Sequence, residues 1–143
     1  MKSLEELKAF FANDHFATDL CGIIIEEATE ERSRCRMPLA AKHMNARNVA
    51  QGGAIFTLCD TVFGVAANAG GVHTVSLGAQ ITFIRPGVGE FLIAEATLVS
   101  STRSTSLYRV EVIDDEGTLI AYATVNGYRQ LTPPQPPPSE SET

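Results

Sequence analysis

The sequence contains no tryptophan, only 3 cysteines and 3 histidines in 143 residues, and 11 basic side chains against 17 acidic ones. The resulting net charge of -6 argues against a general nucleic-acid binder, which needs a positive surface to meet phosphates. The cysteines, Cys21, Cys35 and Cys59, are odd in number and lie in apolar or strand-like segments. They read as reduced thiols of a cytoplasmic protein rather than a disulfide framework. No CxxC or HExxH spacing occurs and the histidines are scattered, so no metal site is expected. No apolar run approaches a membrane span, and "MKSLEELKAF" lacks a signal-peptide core. Internal repeats are also missing.

What is present suits one domain. Hydrophobic residues make up 44% of the chain and charged residues 20%, enough for one packed core and too little for two. The expected domain covers residues 1–131, followed by a disordered proline-rich tail at 132–143, "TPPQPPPSESET". Near the start, Leu4, Leu7, Phe10 and Phe11 fall at helical spacing, with Ser3 as N-cap and Glu6 completing a capping box. "LCGIIIEEAT" and "SRCRMPL" read as strands, and "AAKHMNARNVAQ" as a loop. From Gly53 to about Asn68 the residues are apolar on nearly every face, which predicts a helix enclosed by the rest of the protein. Four more strands follow: "HTVSLGAQITFI", "EFLIAEATLV", "SLYRVEVID" and "LIAYATVNGYR". Turns at Arg85-Pro86-Gly87 and Asp115-Glu116-Gly117 punctuate them. No helices separate the later strands, so the expectation is an α+β fold, an antiparallel sheet wrapped around one helix.

That helix carries an aspartate, Asp60. Buried carboxylates are rare and need partners, yet Phe56, Thr57, Phe63 and Gly64 around it offer none. Asp60 either caps a neighbouring loop or, with its pKa raised by lost hydration, serves as a base or nucleophile. Gly64 either leaves space for a ligand or permits close helix–strand packing. Gly52 and Gly53 either form a flexible N-cap or let a substrate oxygen approach backbone N–H groups at the positive end of the helix dipole. Cys59 points about 100° away from Asp60, a poor position for a Cys-His nucleophile.

The Gly52-to-Asp60 spacing constrains these readings. It spans about 12 Å of helix, whereas an oxyanion donor and an attacking base must each lie within about 3 Å of the reacting group. Gly52 and Asp60 of one chain cannot serve the same carbonyl. If both are catalytic, a second copy must bring its helix alongside in the opposite direction, and the site is shared.

Over about residues 9 to 130 the chain resembles the hotdog-fold acyl-CoA thioesterases of the phenylacetate-pathway (PaaI) type. The likeness rests on "NDHFATDLCGIII", "HMNARNVAQGGAIFTLCDTVFGVAAN", "VSLGAQITFIRPG" and "LIAYATVNGYR". Asn45, Gly52, Gly53, Asp60 and Phe83-Ile84-Arg85-Pro86 stand at the places of the family's motif. One residue departs: Gln51 replaces the histidine that most relatives carry before the two glycines, keeping an amide donor without the titration. Ser76 falls near a serine that orients the nucleophilic water in some relatives.

The resemblance implies a hotdog-fold thioesterase that hydrolyses a small acyl- or aryl-acetyl-CoA. It implies no cofactor, coenzyme A being part of the substrate. The Gly52 N–H would polarise the thioester carbonyl and Asn45 position substrate or water. Asp60 of a second subunit would act as base or as direct nucleophile, with Ser76 holding the water. Arg85, Arg103 and Arg109, with Thr105 in "SSTRSTS", are candidates for the coenzyme A phosphates, although each arginine also reads as a solvated surface position. Gly53 and His43 are further substrate-side candidates; His15 and His73 read as structural or surface residues. The implied assembly is a homodimer with shared active sites, and a tetramer built as a dimer of dimers. Two competing readings are an acyl-carrier dehydratase, which needs a histidine near the helix start, and a non-catalytic acyl-CoA-binding hotdog protein.

Overall fold

The computed structural model describes residues 1–130; the end of the expected domain at residue 131 and the tail at 132–143 lie outside the described residues. A first helix, α1 (Leu4–Phe11), starts at Ser3, whose Oγ accepts the Glu6 N–H at 3.1 Å and so satisfies one orphan donor of the first turn. Its inward residue is Leu7. A π-helical turn at Phe16–Leu20 leads into β1 (Ile24–Ala28) and β2 (Arg32–Pro38). The stretch expected to be a loop contains a 3-10 turn at Ala41–His43 and then gives way to α2 (Gly52–Ala69). Four strands follow: β3 (His73–Phe83), β4 (Phe91–Ser101), β5 (Thr105–Asp114) and β6 (Leu119–Gln130). All pairings are antiparallel, in one sheet of order β1-β2-β4-β5-β6-β3.

The sheet can wrap the helix because much of its inner face is small. Ala94 and Ala96 on β4 and Ala121 and Ala123 on β6 are fully buried, and larger α2 residues such as Leu58, Val62 and Phe63 fill the space above them. Such interlocking of large and small side chains gives interior packing density without voids. Phe63 packs its ring edge-on against Tyr108, centroids 5.6 Å apart. It reaches that place because Gly127 has no side chain: a Cβ there would stand 2.8 Å from the Phe63 ring and from Thr74.

The expectation of a fully enclosed α2 is corrected by the structure. Gly53, Phe56 and Asp60 are exposed and Thr57 and Gly64 half-buried, which at three- and four-residue spacing is one continuous stripe. The sheet covers the remaining faces only. The view that no apolar run approaches a membrane span also needs amending. By length and composition alone α2 would pass as one, but more than half of it is buried beneath the sheet, and its open stripe carries a carboxylate.

At the sheet edge, β3 exposes residues on both faces from Val75 to Gln80. Its register against β6 shifts between Ser76 and Gly78, a bulge that leaves Leu77 unpaired. Before the bulge Thr74 and Ser76 sit opposite Arg129 and Gly127; after it, Ala79, Ile81 and Phe83 sit opposite Val125, Ala123 and Ala121. Directly opposed residues share a face, so all five point towards α2. Without an extra residue, even-numbered Ser76 and odd-numbered Phe83 would face opposite ways.

Candidate active site

The first half of the candidate site is the start of α2. The backbone leading to it is pinned on both sides: Ala50 N–H donates to Gly87 O and Gln51 N–H to His43 O, each at 2.8 Å. Gln51 is the N-cap, and its Oε1 accepts the N–H groups of Gly53 and, at 3.2 Å, Ala54. The Gly52 N–H has no partner among the described residues. It is the first donor of an 18-residue helix, where the dipole favours a developing negative charge. The Phe83 ring covers the other side of Gly52, and a Cβ at this position would lie 3.2 Å from Cζ.

Two sequence-based assignments at this end are revised. Gly53 is not a free donor, because Gln51 already occupies its N–H. His43 is a buried structural residue: its Nδ1 accepts the Ala40 N–H at 3.0 Å and its Nε2–H donates to Cys21 O at 2.7 Å. With both ring nitrogens engaged it has nothing left to offer a substrate. Asn45 lies on the exposed loop before α2, where its Oδ1 accepts from Arg47 N–H (2.9 Å) and Val49 N–H (3.3 Å). This Asx turn holds the loop and leaves only the amide N–H₂ of Asn45 for other contacts.

The second half is a cleft of about 260 Å³ further along α2, into which Asp60, Gly64, Ser76 and Asp14 converge. Asp60 has its pKa raised, first by burial, then by the negative charge of Asp14; the nearby Ser76 hydroxyl opposes both. The carboxylate on the open stripe of α2 is thus partly desolvated by the walls of the cleft. This environment favours a base over a permanently charged surface group. A Cβ on Gly64 would meet the Phe11 ring at 3.5 Å, an ordinary contact, so this glycine fits both close packing and the cleft wall. Cys59 is turned away into the core, its thiol pushed up to about 12 by burial and by the Asp60 charge, and is not a nucleophile near neutral pH.

Asp14 and Asn68 were not singled out by sequence reasoning. Asp14 reaches the cleft from the end of α1, where its Oδ1 also accepts the Ala17 N–H at 3.0 Å. Asn68 ties the last turn of α2 to β3: its amide donates to Gly64 O (2.7 Å) and Thr74 O (3.2 Å), and its Oδ1 accepts the Thr74 N–H (2.8 Å). That clamp fixes Thr74 at the start of β3, the strand that carries Ser76. An asparagine in the last turn of a helix that is otherwise without polar side chains after Thr61 was the available signal.

The two halves do not meet within one chain. Phe83 covers Gly52 at one end of β3 and Ser76 meets Asp60 towards the other, with about 12 Å of helix between Gly52 and Asp60. The candidate phosphate ligands divide in the same way. Arg85 is exposed beside Ile120, to whose carbonyl its N–H donates at 3.1 Å. Arg103 is exposed at the β4–β5 turn, and Thr105, two residues on, bonds Thr102 and pairs with Tyr128. Ile120 and Tyr128 are roughly 26 Å apart along β6. Arg109 is exposed within 3.9 Å of Glu111, a surface pair of little energetic weight.

This architecture and these residues have known counterparts. Residues 48–121 match the family model described as the thioesterase superfamily. The acyl-coenzyme A thioesterase PaaI of Escherichia coli is 31% identical over 121 residues, covering 84% of this chain and 86% of that protein. The solved structure of the E. coli PaaI protein superposes with a TM-score of 0.75 at 25% identity, over 90% of this chain and 96% of that one. A Streptococcus mutans protein solved bound to acetyl CoA gives a TM-score of 0.72 at 25% identity, over 76% and 88% of the two chains. The chain belongs to the thioesterase superfamily and has the hotdog fold of its PaaI-type members.

Proposed function

We propose that this protein hydrolyses the thioester of a small acyl- or aryl-acetyl-coenzyme A to the free acid and coenzyme A, in sites that two copies of the chain share. Membership of the thioesterase superfamily supports the reaction class. One observation carries the shared site: a free donor at Gly52 and a pKa-raised carboxylate at Asp60 lie on one open helix but too far apart to serve one carbonyl. The exposed α2 stripe and the bare β3 edge, with exposed Val75, Leu77 and Phe83, support a two-fold partner that covers both. Antiparallel β3 edges would bring the Phe83 end of one copy to the Ser76 end of the other.

In the resulting site the Gly52 N–H polarises the thioester carbonyl and Asp60 of the second copy acts on the opposite side. Asp60 either takes a proton from a water whose oxygen attacks the carbonyl carbon, or attacks that carbon itself and forms an anhydride that water then opens. In both routes the C–S bond breaks and coenzyme A leaves as the thiol. Ser76 orients Asp60 or its water. Asn45 contributes its amide N–H₂, and Arg85, Arg103 and Thr105 are surface donors within the reach of a long ligand. Three free, buried thiols fit a reducing cytoplasm. The assembly we favour is a dimer, or a tetramer made of two such dimers.

Release of free thiol from a panel of acyl-CoAs, with Asp60→Asn as control, tests the activity; absence of turnover on every member would leave a non-catalytic acyl-CoA binder. The shared site has its own test. Gly52→Pro removes the N–H at the first helical position, where proline is tolerated, and the extended backbone of Gln51 suits a following proline. Gly52→Ala adds the same Phe83 contact but keeps the N–H. In mixed dimers of Gly52→Pro and Asp60→Asn, one site collects both lesions and the other neither, so about half of full activity should return. Mixed dimers no more active than their parents would place both groups in one chain's site.

A further inference from the structure

Next to the Asp60 cleft lies a second, open-sided cavity of about 230 Å³, lined by Lys8 and Phe11 of α1, Thr18, the run Ile23–Ile25 and Thr61. Phe11 and Thr61 stand in the walls of both spaces. The two hydroxyls that border the cavity are already engaged: Thr18 Oγ1 donates to Phe11 O at 2.9 Å and Thr61 Oγ1 to Thr57 O at 2.7 Å. The buried side-chain polar atoms without a partner, among the described residues, lie elsewhere, on Arg34, Ser106 and Gln130. A space lined mainly by apolar side chains, with its hydroxyls already bonded, favours an apolar occupant. Lys8 stands at its rim as an exposed cation.

We propose that this cavity is the acyl pocket and that Phe11 is its specificity-determining wall. The inference rests on the thioesterase reading and adds the location and shape of the acyl site. With the reacting carbonyl at Asp60, the chain or ring passes the edge formed by Phe11 and Thr61, the residue next to Asp60, and enters between α1 and β1. The Phe11 ring lies against the Gly64 face of α2 and edge-on to Phe10, centroids 5.2 Å apart, contacts that place the wall between the two spaces. Together the two spaces come to the order of 500 Å³, within the range of small-molecule sites. The far side, at half-exposed Ile24 and Lys8, is where an acyl chain runs out of apolar wall and its affinity stops rising.

The test uses S-alkyl-CoA thioethers of increasing length, which bind without being hydrolysed, titrated against the full-length protein. Affinity should rise about fourfold per methylene up to a break that marks the filled pocket. Phe11→Ala should move the break to longer chains. Ile24→Phe, which adds bulk at a half-exposed position, should move it to shorter ones and carries the test alone if Phe11→Ala fails to fold. A break that stays in place in folded variants overturns the assignment, even if the protein hydrolyses acyl-CoAs. A break that shifts in both variants upholds it, even if no thiol is released from any acyl-CoA; only the hydrolytic reading then falls.

Discussion

Gln51 and Gly53 compete for one small volume at the start of α2, and the structure allows the resulting coupling to be worked out. The Gln51 Oε1 caps two N–H groups. Loss of an N-cap side chain costs about 0.5–2 kcal/mol, and for this exposed position about 1 kcal/mol is expected. A Cβ on Gly53 would stand 2.6 Å from that oxygen, so Gly53→Ala must push the cap aside. It forfeits that ~1 kcal/mol while gaining about 0.5–1 kcal/mol of helix propensity, a net effect near zero. After Gln51→Ala there is no cap to lose, and Gly53→Ala should stabilise by about 0.5–1 kcal/mol. The coupling between the two positions is therefore about 1 kcal/mol, the worth of the cap itself. Urea denaturation of the four proteins at one fixed concentration measures it, the fixed concentration keeping self-association from entering the comparison. Additivity within about 0.3 kcal/mol would refute the assignment of Oε1 to these two donors.

Asp60→Asn should lower turnover about 10²-fold or more without loss of the fold, and full activity in a folded variant would remove Asp60 from the mechanism. Its stability effect has a definite sign. The Asp60 pKa is raised by burial and by Asp14, so the folded state is penalised for the charged form above that pKa, and the Asn variant escapes the penalty. Its Tm at pH 7 should equal or exceed wild type, with the gap closing as pH falls through the raised pKa; a clearly lower Tm at pH 7 contradicts this. The acid limb of kcat/KM should shift to lower pH in Asp14→Asn, which removes a like charge, and to higher pH in Ser76→Ala, which removes the stabilising hydroxyl; limbs moving together would show that these groups do not act through Asp60. Gly127→Ala forces a Cβ to 2.8 Å from Phe63 and Thr74 and should cost about 1–3 kcal/mol, measured as a lower denaturation midpoint; an unchanged midpoint would mean that Phe63 moves freely.

Features set by local pattern were legible in the sequence. The Ser3 cap, the α2 span, the turn at Asp115-Glu116-Gly117 and the strand order along the chain follow from spacing and turn chemistry, which act over a few residues; the stretch around Arg85-Pro86-Gly87 is instead part of a longer connection from β3 to β4, which are not neighbours in the sheet. The Gly52-to-Asp60 separation was legible for the same reason, being helix geometry alone. What stayed hidden depends on contacts between distant segments. His43 looked available because nothing local reveals that Cys21 O, on another segment, takes its Nε2–H. Asp14 became part of the site only when α1 docked against α2. The open face of α2 was invisible because an exposed Phe56 reads the same in sequence as a residue meant for the core.

The bulge at Leu77 shows most sharply how the site depends on such non-local detail. Strict alternation along β3 allows either the Thr74 and Ser76 end or the Ile81 and Phe83 end to face α2, but not both. The inserted residue changes the phase between them, so that one strand sets a hydroxyl beside Asp60 and an aromatic ring beside Gly52. The outward cost is small, because Leu77 stands at a sheet edge where no further strand among the described residues needs its register. At Gly78, the next residue, a Cβ would approach Asn126 Oδ1 to 3.2 Å, so that side chain would have to give way slightly. The two ends of the site are thus joined through the phase of one edge strand as well as through the helix. A second copy lying antiparallel along that edge would meet both ends in the orientation that the proposed shared site requires.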